Sequence, residues 1–102
     1  MKLTLTRTRE IENKKHSLYT IGNYEVRVST YADGSQYITV SVNREDYLPE
    51  IYCRTNIEGD IFGFEIQTTS YGALPVDEIQ KVIAGLNEAL QVVEILTKEF
   101  IK

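Results

Sequence analysis

The chain has 102 residues, 42% of them hydrophobic, with one cysteine, one histidine and a net charge of −4. That length predicts one domain, residues 1–102, with a modest core, and that apolar fraction argues against a disordered chain. One cysteine excludes an intrachain disulfide, the opening MKLTLTRTRE has no apolar leader core, and no stretch approaches the roughly 18 apolar residues of a membrane span, so a cytoplasmic protein with no membrane segment is expected.

Lys2–Arg9 alternates Leu3 and Leu5 with threonines and reads as a strand. A turn from Glu12 to Lys15 leads to a second strand, Ser17–Ile21. Gly22-Asn23 then reads as a two-residue turn that opposes Ile21 to Tyr24 and Tyr19 to Val26. The next two strands, Tyr24–Tyr31 and Gln36–Val42, place apolar side chains at Tyr24, Val26 and Val28 and at Ile38, Val40 and Val42. A one-residue slip would put these sets on opposite faces. A two-residue Asp33-Gly34 loop makes that error. A three-residue Ala32-Asp33-Gly34 loop opposes Val28 to Ile38 and Val26 to Val40, with Gly34 in the left-handed position that suits glycine.

Asn43–Pro49 is a polar connection. Ile51–Ile57 and Ile61–Thr68 read as a further hairpin. A two-residue Gly59-Asp60 loop opposes Ile57 to Phe62, Thr55 to Phe64 and Cys53 to Ile66, and sets Arg54 across from Glu65. From Pro75 to Phe100 the pattern becomes helical. Ile79, Leu86, Val93 and Phe100 recur every seventh residue, Val82, Ala89 and Leu96 follow three later, and Ile83 and Leu90 widen the stripe. This stripe is expected to pack on the sheet, since no other helix is available to cover it. Pro75 suits the first turn, while Asp77, Glu78 and Lys98 suit the two ends of the helix dipole. Gly85 costs up to about 1 kcal/mol in a helix interior; either it allows close packing on the sheet or it is simply tolerated. The predicted fold is α+β: an antiparallel meander of five or six strands within residues 2–68, covered on one face by a single long C-terminal helix at about 75–100.

Charge is unevenly placed. Residues 1–16 carry Lys2, Arg7, Arg9, Lys14 and Lys15 against Glu10 and Glu12, a balance of +3, which leaves −7 on the remainder. The body is therefore acidic with a small basic patch.

The chemistry-bearing residues are few. His16 alone cannot build a histidine metal site, and it lacks an obvious orienting partner for general-base work; an exposed, uninvolved histidine is expected. Cys53 alternates in phase with Ile51 and Ile57, so it is read as a structural thiol on the core face. Glu45, Asp46, Glu50, Glu58, Asp60 and Glu65 match no calcium loop and read as a solvated acidic surface, with Glu45 and Asp46 placed to meet a basic partner. No phosphate-binding glycine loop or serine elbow is present. No enzyme activity, cofactor or metal is expected.

The tyrosines form the more informative set. Alternation turns Tyr31 and Tyr37 away from Val26 and Val40, beside Arg27 and Ser29, and gives Tyr52 and Arg54 the corresponding face of the later hairpin. If the helix covers the apolar face, this opposite face displays tyrosine and arginine, the usual anchors of binding surfaces. The bland alternative is that these rings brace neighbouring strands.

In size, acidity and build, a meander followed by one C-terminal helix, the chain resembles the small orphan proteins carried by phages and integrative elements of Gram-positive bacteria. Some of those are inhibitors of host defence nucleases, including anti-CRISPR proteins. The resemblance implies a protein-binding role and carries no site residues across. The expected function is therefore a non-enzymatic protein-binding module, an accessory factor or inhibitor of a host protein, using Arg27, Tyr31, Tyr37, Tyr52 and Arg54 or the acidic residues Glu45 and Asp46. The alternative is a small nucleic-acid-binding protein that uses the basic N-terminal segment and the sheet tyrosines. Self-association into a homo-oligomer is a further reading.

Overall fold

A computed structural model describes residues 1–42, 47–68 and 72–101. Among the described residues six strands precede one helix, as α+β. β1 (Thr4–Ile11), β2 (Lys14–Ile21), β3 (Tyr24–Thr30) and β4 (Gln36–Val42) form an antiparallel sheet in chain order. β5 (Glu50–Thr55) and β6 (Ile61–Gln67) pair with each other as a second sheet beside β4. The meander is thus divided after its fourth strand. α1 spans Val76–Phe100, within a residue of its predicted bounds.

Turn chemistry sets the pairings. Glu12 and Asn13 both take positive φ, 51° and 66°, as a two-residue hairpin turn of the primed type requires. The second strand therefore starts at Lys14, earlier than the predicted Ser17. Gly22-Asn23 closes β2 on β3 with Ile21 opposite Tyr24 and Tyr19 opposite Val26, as expected. The β3–β4 hairpin also has its predicted register, Val28 opposite Ile38 and Val26 opposite Val40. Tyr31 N–H donates to the Ser35 carbonyl at 2.9 Å, and Gly34 sits at φ 87°.

The later hairpin differs from its predicted register by two residues. Cys53 faces Phe64, Ile51 faces Ile66, and Arg54 faces Gly63. The cause is the Asn56 side chain. Its Oδ1 accepts from the backbone N–H of Glu58 (3.0 Å) and Asp60 (2.8 Å), while Asn56 N–H donates to the Asp60 carbonyl at 2.9 Å. That wraps a three-residue Ile57-Glu58-Gly59 loop, with Gly59 at φ 88°, in place of the two-residue turn. A register shift between Arg54 and Thr55 leaves Phe62 as the extra residue. A slip of two keeps the side chains up to Arg54 on their faces, so Cys53 stays on the core side, half-buried. Past the bulge the slip is three, and Ile57 and Phe62, predicted to oppose each other on the core face, are exposed while Ile61 packs against the core.

The core lies between the inner face of the sheets and the helix. Ile21, Tyr24, Val26, Val28 and Ile38 come from the first sheet, Ile51 from the second, and Ala89, Val92 and Leu96 from α1, all buried. The Tyr24 hydroxyl donates to the Pro49 carbonyl at 2.6 Å, which satisfies a buried polar pair. Phe100 meets Tyr19 edge-on with ring centroids 6.3 Å apart. Glu88 accepts from both the backbone N–H (2.8 Å) and the side-chain amide (3.1 Å) of Asn23, and so ties the β2–β3 turn to the helix.

The helix is rotated from the predicted stripe. Its buried line is Gly85, Ala89, Val92 and Leu96, whereas Ile79, Ile83 and Leu90 are exposed. Small side chains decide this. A Cβ at Gly85 would overlap the Tyr47 carbonyl oxygen, so glycine lets the helix lie directly against that backbone. Of the two readings of Gly85, close packing is the one found, although against the β4–β5 connection and not the sheet.

Candidate functional site on the open sheet face

The helix packs over the core side of β2–β4, leaves the edge strand β1 exposed, and leaves the other side of the sheet bare. On the bare side, direct cross-strand neighbours make two rows. Arg9, His16, Ser29 and Tyr37 form one, from β1 to β4. Arg7, Leu18, Arg27 and Thr39 form the next. These eight residues line a shallow groove of about 310 Å³. Beyond the first row, Lys14 Nζ lies 5.3 Å from the centre of the Tyr31 ring, within cation–π range.

Arg7 and Arg9 reach this face because of a β-bulge. Leu3, Leu5, Arg7 and Arg9 are all in phase in the sequence, and a regular strand would put them on one side. Leu5 pairs with Tyr19 and Arg7 with Leu18, so Thr6 is an extra residue, its hydroxyl donating to the Leu18 carbonyl at 2.9 Å. The bulge reverses the alternation. Leu3 packs against the core, and Arg7 and Arg9 turn outward.

The side chains of the groove are available. Among the described residues, no carboxylate forms an ion pair with Arg7, Arg9 or Arg27; the one ion pair there is Arg54 with Glu65. Glu25 is on the same face of β3, one row beyond Arg27, and is half-buried. Tyr37 is 59% exposed. His16 is exposed as expected, and its Nδ1 lies 3.0 Å from Ser29 Oγ, so its ring is oriented by a hydroxyl.

The predicted site residues fall into three groups. Arg27, Tyr31 and Tyr37 share the open face of the first sheet. Tyr52 and Arg54 lie on the exposed face of the second sheet and do not line the groove. They are also engaged locally. Arg54 pairs with Glu65 at 2.8 Å, diagonally in the observed register, and stacks 5.7 Å from the Tyr52 ring. The Tyr52 hydroxyl donates to Glu50, and that bond pushes the phenol pKa up. Glu45 and Asp46 lie outside the described residues. Of the basic segment, Lys14 joins the open face, whereas Lys15, opposite Thr30, takes the side of the core residues. Arg7 and Arg9 belong to the groove, although the alternation of β1 alone assigned them with the leucines.

Burial pushes the Cys53 thiol pKa up, away from the thiolate that nucleophilic chemistry requires. Two hydrogen bonds from Ser35, hydroxyl and backbone, hold the Asp33 carboxyl below its usual range at the β3–β4 loop. Val76, Ile79, Ile83 and Leu90 leave a second uncovered surface, an apolar strip along α1. No helix among the described residues is long and apolar enough to cross a membrane. No protein-family model, curated protein or solved structure matches this chain.

Proposed function

We propose that this protein is a non-enzymatic binding module whose partner docks on the open face of the four-stranded sheet. One observation carries the proposal: Arg7, Arg9 and Arg27 line one groove with Tyr37 on a face the helix leaves bare, with no ion pair to any of the three among the described residues. Exposed arginine and tyrosine are enriched where proteins make their strongest contacts. An arginine without a carboxylate partner keeps its planar fork of donors for an incoming anion. Binding is favoured over catalysis by what the groove contains. Its histidine is oriented by a hydroxyl rather than a carboxylate, and the cysteine lies on the other side of the protein's second sheet with its pKa raised.

An accessory factor or an inhibitor of a host protein such as a defence nuclease is the form that the resemblance to mobile-element proteins gives this proposal. A nucleic-acid partner would use the same face, and the arginines that β1 adds to the tyrosines favour it.

The test is affinity capture from the host's lysate with the tagged protein and with an Arg27→Ser/Tyr37→Ser double variant, each run with and without nuclease. The expected outcome is that the double variant loses the captured partner while its circular dichroism and melting temperature stay those of the parent. Full capture by a folded double variant would remove this face as the binding surface.

A further inference from the structure

We infer that the open face takes a single-stranded nucleic acid, with phosphates on Arg7, Arg9 and Arg27 and a base stacked on Tyr37; this rests on the proposal that the open face is the binding surface.

Charge is the first support. The chain is acidic overall, yet Arg7, Arg9, Lys14 and Arg27 gather on one face against Glu25. An acidic protein that concentrates its unpaired arginines on a bare sheet presents one surface complementary to a polyanion. The carboxylates of α1 and of the β5–β6 loop lie on other elements and do not line the groove.

Geometry is the second. Arg9 and Tyr37 end the same cross-strand row, three strand spacings or about 14 Å apart. Arg7 and Arg27 occupy the adjacent row, about 6.7 Å further along the strands. A chain of phosphates running across the strands meets the β1 arginines first, then Arg27, and reaches the Tyr37 ring at β4. Ser29 and Thr39 supply hydroxyls along the way. Guanidinium groups match phosphate oxygens in pairs, so each arginine is a bidentate site rather than a diffuse charge.

The exposed ring selects the single strand. Tyr37 can gain by stacking only on a base whose face is free, and a duplex keeps its bases stacked on each other. An acidic peptide is the competing occupant. It could use the arginines, but it offers nothing planar to Tyr37.

The test is fluorescence anisotropy of labelled single strands of about 12 nucleotides, one DNA and one RNA, with a matched duplex and a poly-glutamate peptide as competitors. Both single strands are expected to bind at about 50 mM salt and to lose about twenty-fold in affinity by about 200 mM, as three phosphate contacts on a single strand require. Arg9→Ser and Arg27→Ser should each reduce the slope of log affinity against log salt by about 0.7. Tyr37→Ser should weaken binding about ten-fold, and Tyr37→Phe should restore it, because the ring and not the hydroxyl does the stacking. A folded protein that binds neither strand at low salt overturns the inference, as does equal binding by Tyr37→Ser or by poly-glutamate. If the oligonucleotides fail while Arg27→Ser/Tyr37→Ser still abolishes capture of a nuclease-resistant protein, the nucleic-acid inference falls and the binding face stands. If capture is also unaffected, both fall.

Discussion

Val26 and Arg27 are adjacent in the chain and opposite in circumstance. Val26 is 0% exposed against the helix, and Arg27 faces solvent in the groove. The same contrast runs through the four-stranded sheet. Ile21, Tyr24, Val28 and Ile38 point inward, while His16, Leu18, Ser29 and Tyr37 point outward from the same strands. β2, β3 and β4 therefore each carry two sets of residues at alternate positions, one holding the fold and one free for recognition, whereas β1 is exposed along its whole length. Substitutions on the two sides should separate cleanly, stability on one and binding on the other.

The largest effect is expected from the inner side. Leu96 is fully buried on the helix line that meets the sheet. Leu96→Ala removes its transfer energy and leaves a cavity, at a cost of about 2–5 kcal/mol. With about 4–8 °C per kcal/mol for a domain of this size, the melting temperature should fall by at least about 8 °C. Arg27→Ser, on the open side, should stay within about 0.5 kcal/mol of the parent. Thermal or urea unfolding of the two variants checks the division directly. Comparable losses would mean that the open face is a structural surface after all.

Gly85→Ala sharpens the inner side further, because two effects oppose each other. Alanine is worth up to about 1 kcal/mol over glycine in a helix interior. Here, however, the added methyl would overlap the Tyr47 carbonyl, which is backbone and cannot rotate away, and Tyr47 already has a φ of 60°. Overpacking of this kind costs about 1–3 kcal/mol, so the net expectation is destabilisation of about 1 kcal/mol. A variant more stable than the parent would show that helix and connection can separate without loss.

Much of this arrangement is legible in the sequence where turn chemistry and alternation agree. The β3–β4 loop is fixed because only three residues keep Val28 against Ile38, and Gly34 suits the position that results. The inward and outward sets of β3 and β4, with Arg27 and Tyr37 among the latter, follow from that register. The β5–β6 pairing escaped because Asn56 competes for the backbone N–H groups of its own loop, and a side-chain bond of that kind leaves no trace in the hydrophobic pattern. The helix line was only partly legible: Ala89 and Leu96 of the apolar repeat are buried, but the repeat is more conspicuous than Gly85, whose missing side chain lets the helix approach and turns Val92 inward in place of Ile79, Ile83 and Leu90. Tyr52 and Arg54 read as companions of Tyr37 only while the strands are taken as one sheet. The connection after β4 divides them.

The smallest expected effect concerns Thr6, and it isolates the one device that joins β1 to the site. The bulge adds one residue to β1 opposite the Tyr19–Leu18 step, and nothing on β2 requires it. Deleting Thr6 would leave Leu5 opposite Tyr19 and Arg7 opposite Leu18 in a regular ladder. Leu3 and Leu5 would stay inward and Arg7 and Arg9 outward. The loss is the exposed bond from the Thr6 hydroxyl to the Leu18 carbonyl, about 1 kcal/mol at most, offset by the more regular pairing. The deletion variant is therefore expected to fold with a melting temperature within a few degrees of the parent and to retain binding through the open face. A Thr6→Val substitution, by contrast, keeps the extra residue while removing its bond, so it should cost no less than the deletion. If the deletion variant unfolds or loses binding while Thr6→Val does neither, the strand is using the twist of the bulge, and not only its count of residues, to aim the two arginines.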